Sequence, residues 1–518
     1  MNNEERRHFP APGMDKTRMI GQHPRQSRTN SQAVRKQKDG ESIMKSTESC
    51  HKPGRRAFLK HVALAGTGLI AAPLVFPSRL LGADAPSKRL NIAAIGTGGR
   101  CRALITEILR QGENLVAMCD VDQRQFAPMR KTMASVAEGA DEMLGKAKLY
   151  DDYRKMLDAE KSLDAVVIAI GSRWHGPISV RAMKAGKHVY CEKPLVRTIA
   201  EARELIELTP RSKVATQLGT QGTSSKSFRR SVEVIQAGVL GQVEQVYLWS
   251  DYCGKFPPSQ DRPPGEDPVP EGLNWDAWLG PVPWRPFKTG VYMPGCIKGQ
   301  NWLDFCNGML AGQGCHTFQL PVRALKLGPP ARVTAELPEP LKETYVSRGC
   351  FQFEYPAREG LAPVKLWWGD GGKYPPEEIT NSVKECRGQL PTTGCLFVGQ
   401  RGQLYTDGWG VAGIMRLKDD KRWRGVLDHD AVKTLPLSVP RLTNDNHMQE
   451  WFQACKGGPA TYNHFEIGAR VCAAYLPGML SLRLGGRPIE WDAAAMKVPG
   501  APEADRWIQN MYRTKWLS

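Results

Sequence analysis

The chain has 518 residues, of which 41% are hydrophobic and 24% charged, a composition that excludes a disordered or membrane protein and indicates a soluble one with several domains. The formal net charge is +18, but residues 1–83 hold 15 basic and 6 acidic side chains and so account for half of it. Beyond them the basic residues are scattered, without the clustered stripe and interleaved aromatics of a nucleic-acid binder. Nucleic acid is therefore not an expected partner.

Residues 1–83 are predicted to be a disordered tail followed by an export signal. Up to about residue 52 the chain is polar and basic with no apolar period. Arg55 and Arg56 then precede an apolar run that glycine and proline interrupt, too short for a stable membrane span. This is the layout of a twin-arginine signal peptide, with small residues around Gly82 as the cleavage site. An N-terminal amphipathic anchor is the alternative.

We therefore expect the mature protein to begin near Asp84, to be exported folded by the twin-arginine machinery, and to be periplasmic or extracytoplasmic. Met44 is a second candidate for the start codon. Twelve of the 13 cysteines lie beyond the leader, with no CxxC pair and no regular spacing. This pattern favours buried free thiols over a disulfide framework or a zinc ribbon.

Residues 84–218 alternate apolar runs with stretches of helical spacing. Five runs are predicted strands: residues 90–95, 115–119, 164–171, 188–191 and 213–219. Fully apolar strands that alternate with helices form a parallel sheet covered on both faces. The predicted fold class here is α/β, a doubly wound Rossmann domain.

The turn after the first strand, GTGGRC, predicts a dinucleotide site. Gly96 allows a tight turn, and Gly98 leaves room for a pyrophosphate at the N-terminus of a helix that starts near Gly99 and Arg100. Asp120 ends the second strand, where it suits a ribose 2′-hydroxyl better than a 2′-phosphate, which favours NAD over NADP. Arg100 is either a phosphate contact or a plain helix-start residue. A tight turn that binds no ligand is the structural alternative.

The fourth strand leads directly into Glu192, Lys193 and Pro194. A parallel strand delivers these residues to the carboxyl edge of the sheet, where doubly wound sheets bind ligands. Pro194 disfavours helical geometry at Lys193, so the ammonium is directed at the site. Beside a nicotinamide it would lower the pKa of a substrate hydroxyl, and Glu192 would orient it. A surface lysine before a helix is the alternative.

Later segments are rich in β-forming residues that alternate. Residues 242–252, 349–355 and 364–370 are predicted antiparallel strands. The Pro-, Gly- and Trp-rich stretch from 253 to 302 is too long for a plain connector and is predicted to be an ordered loop over the active site. Its Trp275, Trp278 and Trp284 are interpreted as packing residues, with sugar stacking as the alternative. Two glycine-terminated helices are expected near residues 444–458 and 467–486.

Several of these motifs together resemble one family, Gfo/Idh/MocA, named after glucose-fructose oxidoreductase, inositol dehydrogenase and a rhizopine catabolism protein. The resemblance rests on AAIGTGGR, CDVD, AGKHVYCEKPL, LNWDAWLGPVPWRPF, GCHTF, LWWGDGG, FVGQRGQLY and IEWD, and covers residues 89–516. It is closest to the exported, twin-arginine-tagged bacterial branch. It implies that residues 219–518 form an α/β substrate domain on a large, open, mostly antiparallel sheet, which covers the nicotinamide, forms a sugar site and often pairs into dimers or tetramers.

The resemblance also implies the acid/base pair. His316 matches the family histidine that works with the lysine of the Glu-Lys-Pro motif, here Lys193, and an imidazole relays protons near neutral pH. A buried, hydrogen-bonded histidine is the alternative. Four residues earlier the family commonly has an aspartate, whereas this chain has Gly312. Asp304, in the landmark WLDF, is a candidate replacement, or else a turn acceptor.

Two further assignments remain open at this stage. His175 closes the stretch GSRWH, which lacks the family's usual Thr-Pro-Asp lead, and is kept among the cofactor-binding candidates with Glu192 and Lys193. No metal is expected, because the conceivable ligands Asp304, Cys306, Cys315 and His316 are irregularly spaced.

Three functions follow as hypotheses. The first is an exported oxidoreductase that moves hydride between a tightly held NAD and a hydroxyl of a sugar, sugar acid or cyclitol. The second is a redox-neutral glycosidase or lyase in which transient oxidation of a sugar permits elimination. The third is a binder that kept the fold and lost turnover with the carboxylate missing at Gly312.

Overall fold

The computed structural model describes residues 89–293, 295–338, 340–509 and 513–516. The predicted tail, the twin-arginine leader, the cleavage site and Met44 all lie outside these residues. In the described part of the chain, no helix is both long and apolar enough to cross a bilayer.

The first sheet has six parallel strands in the order β3-β2-β1-β4-β5-β6. Its strands are β1 Asn91–Ile95, β2 Asn114–Cys119, β3 Lys148–Tyr150, β4 Ala165–Ile168, β5 His188–Cys191 and β6 Thr216–Leu218. The predicted doubly wound domain is confirmed, and all five predicted strands are present. The additional strand, β3, is short and exposed at the sheet edge, so it has none of the buried apolar character used to predict the others.

Helices connect these strands and cover the sheet. They are α1 Gly99–Arg110, α2 Phe126–Met133, α3 Ala140–Lys146, α4 Tyr153–Ala159, α5 His175–Lys184 and α6 Ile199–Arg211. Helix α6 begins with a capping box in which the Thr198 hydroxyl accepts from the amide of Glu201 and the Glu201 carboxylate accepts from the amide of Thr198. This cap orders the chain a few residues after the Glu-Lys-Pro motif.

The second sheet has nine strands in the order β14-β13-β12-β11-β7-β10-β9-β8-β15. They are β7 Val243–Ser250, β8 Arg332–Glu336, β9 Gly349–Tyr355, β10 Val364–Asp370, β11 Thr393–Gly399, β12 Gly402–Thr406, β13 Ile414–Leu417, β14 Arg424–Gly425 and β15 Ile489–Glu490. The β7–β10 pair is parallel and the other neighbours are antiparallel. This confirms the expected large, mostly antiparallel sheet.

The helices that follow the first sheet are mostly short. They are α7 Lys226–Gln236, α8 Trp275–Leu279, α9 Gly295–Asn301, α10 Gly308–Gly312, α11 Gly314–Thr317, α12 Gln319–Ala324, α13 Glu377–Arg387, α14 His447–Cys455, α15 Phe465–Tyr475, α16 Pro477–Arg483 and α17 Asp505–Ile508. Helix α13 lies on one face of the second sheet, where Val383 packs with Trp249 and Tyr405.

Two late helices return to the first sheet. The rings of Tyr190, on β5, and Trp451, on α14, lie 5.7 Å apart, and Gly468 of α15 contacts Leu195 and Leu218 so closely that a Cβ there would lie 3.0–3.1 Å from their methyl groups. The core is therefore continuous between the dinucleotide-type sheet and the rest of the chain. Ten cysteines are described and none forms a disulfide; eight are buried, Cys455 is half-buried and Cys386 is exposed.

Candidate functional site

The glycine turn between β1 and α1 has the geometry of an anion cradle. Gly96 has a φ of +87°, and a Cβ there would lie 2.4 Å from the carbonyl oxygen of Ala169, so only glycine fits. A Cβ at Gly98 or Gly99 would meet no atom within 4 Å, so there is open space in front of the helix. Helix α1 has neither a side-chain cap nor an acidic residue in its first turn. Its first amides are therefore available to a phosphate.

Asp120 stands beside this turn. Its Oδ2 accepts from the amide and the hydroxyl of Thr97, both at 2.8 Å, and its Oδ1 accepts from the amide of Asp122 at 3.0 Å. Burial raises the pKa of Asp120, although these hydrogen bonds oppose the rise. The carboxylate therefore ties the end of β2 to the glycine turn at the place predicted for ribose recognition. The sequence analysis missed Thr97, whose position inside the glycine motif is the signal that would have found it.

Arg100 and Glu192 connect the glycine turn to the end of β5. The Nε of Arg100 donates to Oε1 of Glu192 at 2.7 Å, and Gln221 donates to the same oxygen at 3.3 Å. Burial would lower the pKa of Arg100, but the pairing with Glu192 outweighs it and the pKa is raised. Gly219 makes room for this carboxylate, since a Cβ there would lie 2.7 Å from Oε1. Arg100 is thus the ion-pair partner of Glu192, and its contact with a cofactor phosphate stays a prediction.

Lys193 lies next to the backbone of the segment that carries His316. The peptide bond from Lys193 to Pro194 is cis, and the Lys193 Nζ lies 3.5 Å from the carbonyl oxygen of Gly312, four residues before His316. The His316 imidazole is 8% exposed. Burial, followed by the positive charges of Lys193, Arg100 and His447, holds the pKa of His316 well below its usual value of 6.5. The imidazole is therefore neutral at pH 7.

Gly312 lies against the side-chain amide of Gln300. A Cβ added there would lie 2.3–2.5 Å from the side-chain amide of Gln300, near the end of α9. The Gln300 amide nitrogen in turn contacts the sulfur of Met309 at 2.9 Å. The volume next to the Gly312 backbone is thus filled by a neutral amide from a different helix. Sequence reasoning missed Gln300 because no local pattern links it to Gly312.

Asp304 makes its ion pair elsewhere. Its Oδ2 accepts from Nη2 of Arg285, a side chain that is 1% exposed and lies over the Phe305 ring. No hydrogen bond or ion pair joins Asp304 to Lys193 or His316 among the residues described. The structure therefore brings two of the three catalytic candidates together and places Asp304 as the charge partner of a buried guanidinium.

His175 is enclosed beneath the same loops. Its Nδ1 lies 2.6 Å from the carbonyl oxygen of Pro194 and its Nε2 lies 3.1 Å from that of Ile170. The side chain is 1% exposed, and burial lowers its pKa. Both ring nitrogens are occupied by backbone oxygens, so His175 links the loop after β4 to the Glu-Lys-Pro loop. It remains a prediction as a direct cofactor contact.

Aromatic residues divide into a packed cluster and a site wall. Trp275 and Trp278 stack with centroids 4.7 Å apart and pack against Phe287 and Phe305, in agreement with their interpretation as packing residues. The same interpretation is wrong for Trp284, whose side chain is 57% exposed. Trp409, which the sequence analysis missed, has its ring centroid 6.4 Å from that of His316 and lies in the turn after β12. The signal was its position beyond a strand end, visible only once the sheet order is known.

Among the described residues, no group of three or more His, Cys, Asp or Glu side chains is placed to hold a metal ion. The fold and the glycine turn together define an α/β protein of the dinucleotide-binding class, with Lys193 next to the segment that carries His316.

Comparisons with known proteins agree with this class. The model of the oxidoreductase family Gfo/Idh/MocA, an NAD-binding Rossmann fold, matches residues 90–220. The chain is 31% identical over 214 residues to an alpha-N-acetylgalactosaminidase of Tannerella forsythia, covering 36% of this chain and 43% of that protein. It is 30% identical over 138 residues to an inositol 2-dehydrogenase of Salmonella paratyphi B, covering 26% and 38% respectively. The chain thus spans about two fifths of the length of these curated relatives.

Among solved structures, the WlbA dehydrogenase of Bordetella pertussis in complex with NADH and UDP-GlcNAcA has a TM-score of 0.51 and 15% identity, covering 78% of this chain and 99% of that one. At this identity the likeness supports the fold alone. Residues 90–220 therefore match the NAD-binding Rossmann domain of the Gfo/Idh/MocA oxidoreductase family. The open cradle at Gly98 and Gly99 and the carboxylate of Asp120 fit such a dinucleotide.

Proposed function

We propose that this protein is an oxidoreductase that transfers hydride between NAD and a hydroxyl-bearing carbon of a sugar, sugar acid or cyclitol. The observation that supports the proposal is the position of the Lys193 Nζ, 3.5 Å from the carbonyl oxygen of Gly312, four residues before His316, whose pKa the Lys193 charge helps to lower. Bound NAD supplies the hydride acceptor or donor.

The residues of the chain handle the proton. In the oxidative direction the carbon loses hydride while the hydroxyl loses a proton, so negative charge develops on the oxygen. The Lys193 ammonium stabilises that charge. The His316 imidazole accepts the proton, because its lowered pKa keeps it unprotonated at neutral pH. Glu192, paired with Arg100, anchors the loop that presents Lys193.

Substitution of the pair tests this assignment. We expect Lys193→Met and His316→Ala each to lower kcat by about two to four orders of magnitude while the purified protein keeps its nucleotide. Nucleotide content is measured by absorbance and mass after denaturation, and turnover by NADH formation with a panel of sugars, sugar acids and cyclitols. Unchanged rates in both variants would refute the acid/base assignment.

A redox-neutral glycosidase is the second candidate, and the match to an alpha-N-acetylgalactosaminidase is the observation that favours it. Transient oxidation of a sugar hydroxyl would acidify the neighbouring C–H bond, allow elimination of the glycosidic oxygen, and return the hydride in the last step. Product analysis on aryl glycosides separates the two functions, because glycosidic cleavage without net NADH is expected only of the second.

We further propose that the protein is exported folded, with its nucleotide tightly held. Arg55-Arg56 and the interrupted apolar run after them support this proposal. Replacement of both arginines by lysine should leave the protein in the cytoplasmic fraction, and export of the variant at the normal level would contradict the proposal. Assembly as a dimer or tetramer stays a prediction of the family resemblance.

A further inference from the structure

The charges around the reactive pair point to the chemistry of the substrate. Lys193 presents an ammonium whose contact in the described structure is a neutral carbonyl oxygen, that of Gly312. No carboxylate lies within 4.0 Å of this ammonium in the described parts of the chain. The groups that act on the pKa of His316, besides burial, are the bases Lys193, Arg100 and His447. Arg100 is paired with Glu192, and burial lowers the pKa of His447 to about 4, so the positive charge near His316 that has no acidic partner is that of Lys193.

The acidic side chains nearest in sequence to Lys193, Trp409 and His316 already have hydrogen-bond or ion-pair partners. Glu192, next to Lys193, is paired with Arg100. Asp407, two residues before Trp409 in the turn that carries this ring, accepts through Oδ1 from the amides of Trp409 and Val411. Asp304 is paired with Arg285. Each of these carboxylates has a partner of its own, so none is assigned to the Lys193 ammonium.

A side-chain carboxylate at position 312 would belong to the residue whose carbonyl oxygen contacts the Lys193 ammonium. The volume beside Gly312 is occupied by the Gln300 amide, whose atoms lie 2.3–2.5 Å from the place of a Cβ on Gly312. An amide can donate to and accept from a ligand, but it carries no charge. A half-buried ammonium without an anionic partner is stabilised when a ligand brings one, because charge-assisted hydrogen bonds are stronger than neutral ones.

We propose that the substrate carries a carboxylate, as a uronic or aldonic acid does, and that this carboxylate lies beside the Lys193 ammonium and the Gln300 amide. The inference rests on the proposed oxidoreductase function and narrows its substrate class. The carboxylate does not react: hydride leaves the carbon that bears the hydroxyl, the proton leaves its oxygen, and the acid group serves recognition. Gln300 is then a specificity-determining residue.

Matched substrate pairs test the proposal. Initial rates of NADH formation are compared for glucuronate and glucose, galacturonate and galactose, and gluconate and glucitol, with the nucleotide-loaded protein. We expect kcat/KM to be about tenfold or more higher for the acid of at least one pair, with an advantage that shrinks as salt is added. Equal rates within every pair, or preference for the neutral member, would overturn it.

Two variants of Gln300 locate the effect. Gln300→Glu keeps the shape and adds a negative charge, so the acid-to-neutral ratio of kcat/KM should fall about tenfold or more. Gln300→Met removes the amide without adding charge, so it should lower that ratio less. Nucleotide content checks that both variants fold. If the two variants change the ratio equally, the charge argument at Gln300 is wrong.

Calorimetric binding keeps this inference separate from the proposed function. If no compound reduces bound NAD, the oxidoreductase proposal fails. Binding of uronates over their parent hexoses by the nucleotide-loaded protein would then still support a cationic recognition site. Equal binding of uronates and parent hexoses would overturn the proposal that the site recognises a carboxylate.

Discussion

The Nε of Arg100 lies 2.7 Å from Oε1 of Glu192 and joins the first turn of the glycine-motif helix to the loop that presents Lys193. Glu192 has only 7% of its side chain exposed, whereas Arg100 has 44%. The pair therefore has one end in solvent and the other next to Lys193. The Arg100 guanidinium, which the sequence assigns to a phosphate or to a helix start, is the ion-pair partner of the residue before Lys193.

Replacement of Arg100 should move the pH dependence of turnover. The Arg100 charge helps to hold the pKa of His316 below its usual value, so Arg100→Gln raises that pKa. The acid limb of the kcat profile should shift upward by up to about one pH unit. Arg110→Gln, at the exposed far end of the same helix, is the control and should leave the limb in place. If the acid limb of the kcat profile is unshifted in Arg100→Gln, protonation of His316 does not determine that limb.

The glycines of the turn should separate folding from cofactor binding. Gly98→Ala places a methyl group in open space, so thermal unfolding of nucleotide-free protein should be unchanged, while the affinity for NAD falls about tenfold or more. Gly96→Ala should instead lower the free energy of unfolding by about 2 kcal/mol or more, since φ is +87° and the Cβ meets a carbonyl oxygen. Normal NAD affinity in Gly98→Ala would contradict this placement of the diphosphate.

The contact between Gly312 and Gln300 predicts a coupled pair of substitutions. Gly312→Ala should displace the Gln300 amide, the flexible end of a long side chain, and lower the free energy of unfolding by about 1 kcal/mol. Adding Gln300→Ala should recover much of the loss, a coupling that a double-mutant cycle measures. Gly314→Ala is a matched control, because its Cβ would meet neighbours at ordinary distances of 3.7–3.9 Å. Strict additivity of the two substitutions would disprove the contact.

The free energy of unfolding should depend on pH through the buried His447. Its Nδ1 lies 2.6 Å from the Ser224 hydroxyl and its Nε2 2.8 Å from the Leu218 carbonyl. Burial lowers its pKa to about 4, below the ordinary 6.5. The unfolded chain therefore binds a proton at His447 more readily than the folded protein does. The stability that comes from the neutral, buried His447 is fully present above pH 6.5 and is lost as the pH falls toward 4. The loss amounts to about 3 kcal/mol.

His447→Gln should remove that part of the pH dependence. Unfolding by denaturant at pH 7 and at pH 4.5 measures it as the difference between wild type and variant. Other buried histidines, among them His175 and His316, also have lowered pKa values and will leave some acid sensitivity in the variant. The same acid sensitivity in both proteins would contradict the assignment to His447.

Local patterns were sufficient for five of the six strands of the first sheet and for three of the nine strands of the second. Strand β5, His188–Cys191, and strands β9 and β10 have the predicted bounds, because an apolar or alternating run shows its period without any neighbour. The glycine turn and the Glu-Lys-Pro loop were found in the same way. Strand β3 was missed, since an exposed edge strand of three residues lacks a burial signal.

Partners in space could not be predicted from those patterns. Asp304 has the residue type of a replacement carboxylate, yet the structure pairs it with Arg285. Gln300 carries no motif, yet it fills the space beside Gly312. The pairing of acidic with basic side chains depends on the directions in which segments far apart in the chain point their side chains. Tertiary packing decides those directions.

The sequence by itself determined the class of this protein, because a strand, a glycine turn, an acidic strand end and a Lys-Pro loop are local features whose chemistry depends on the chain within a few residues of each. Tertiary structure alone decided the electrostatics of the cleft. Arg100 is committed to Glu192, Asp304 to Arg285, and a neutral amide lies beside Gly312. Coulomb interactions act through space and depend on burial, so the charge that faces the substrate emerges only when distant segments are folded together.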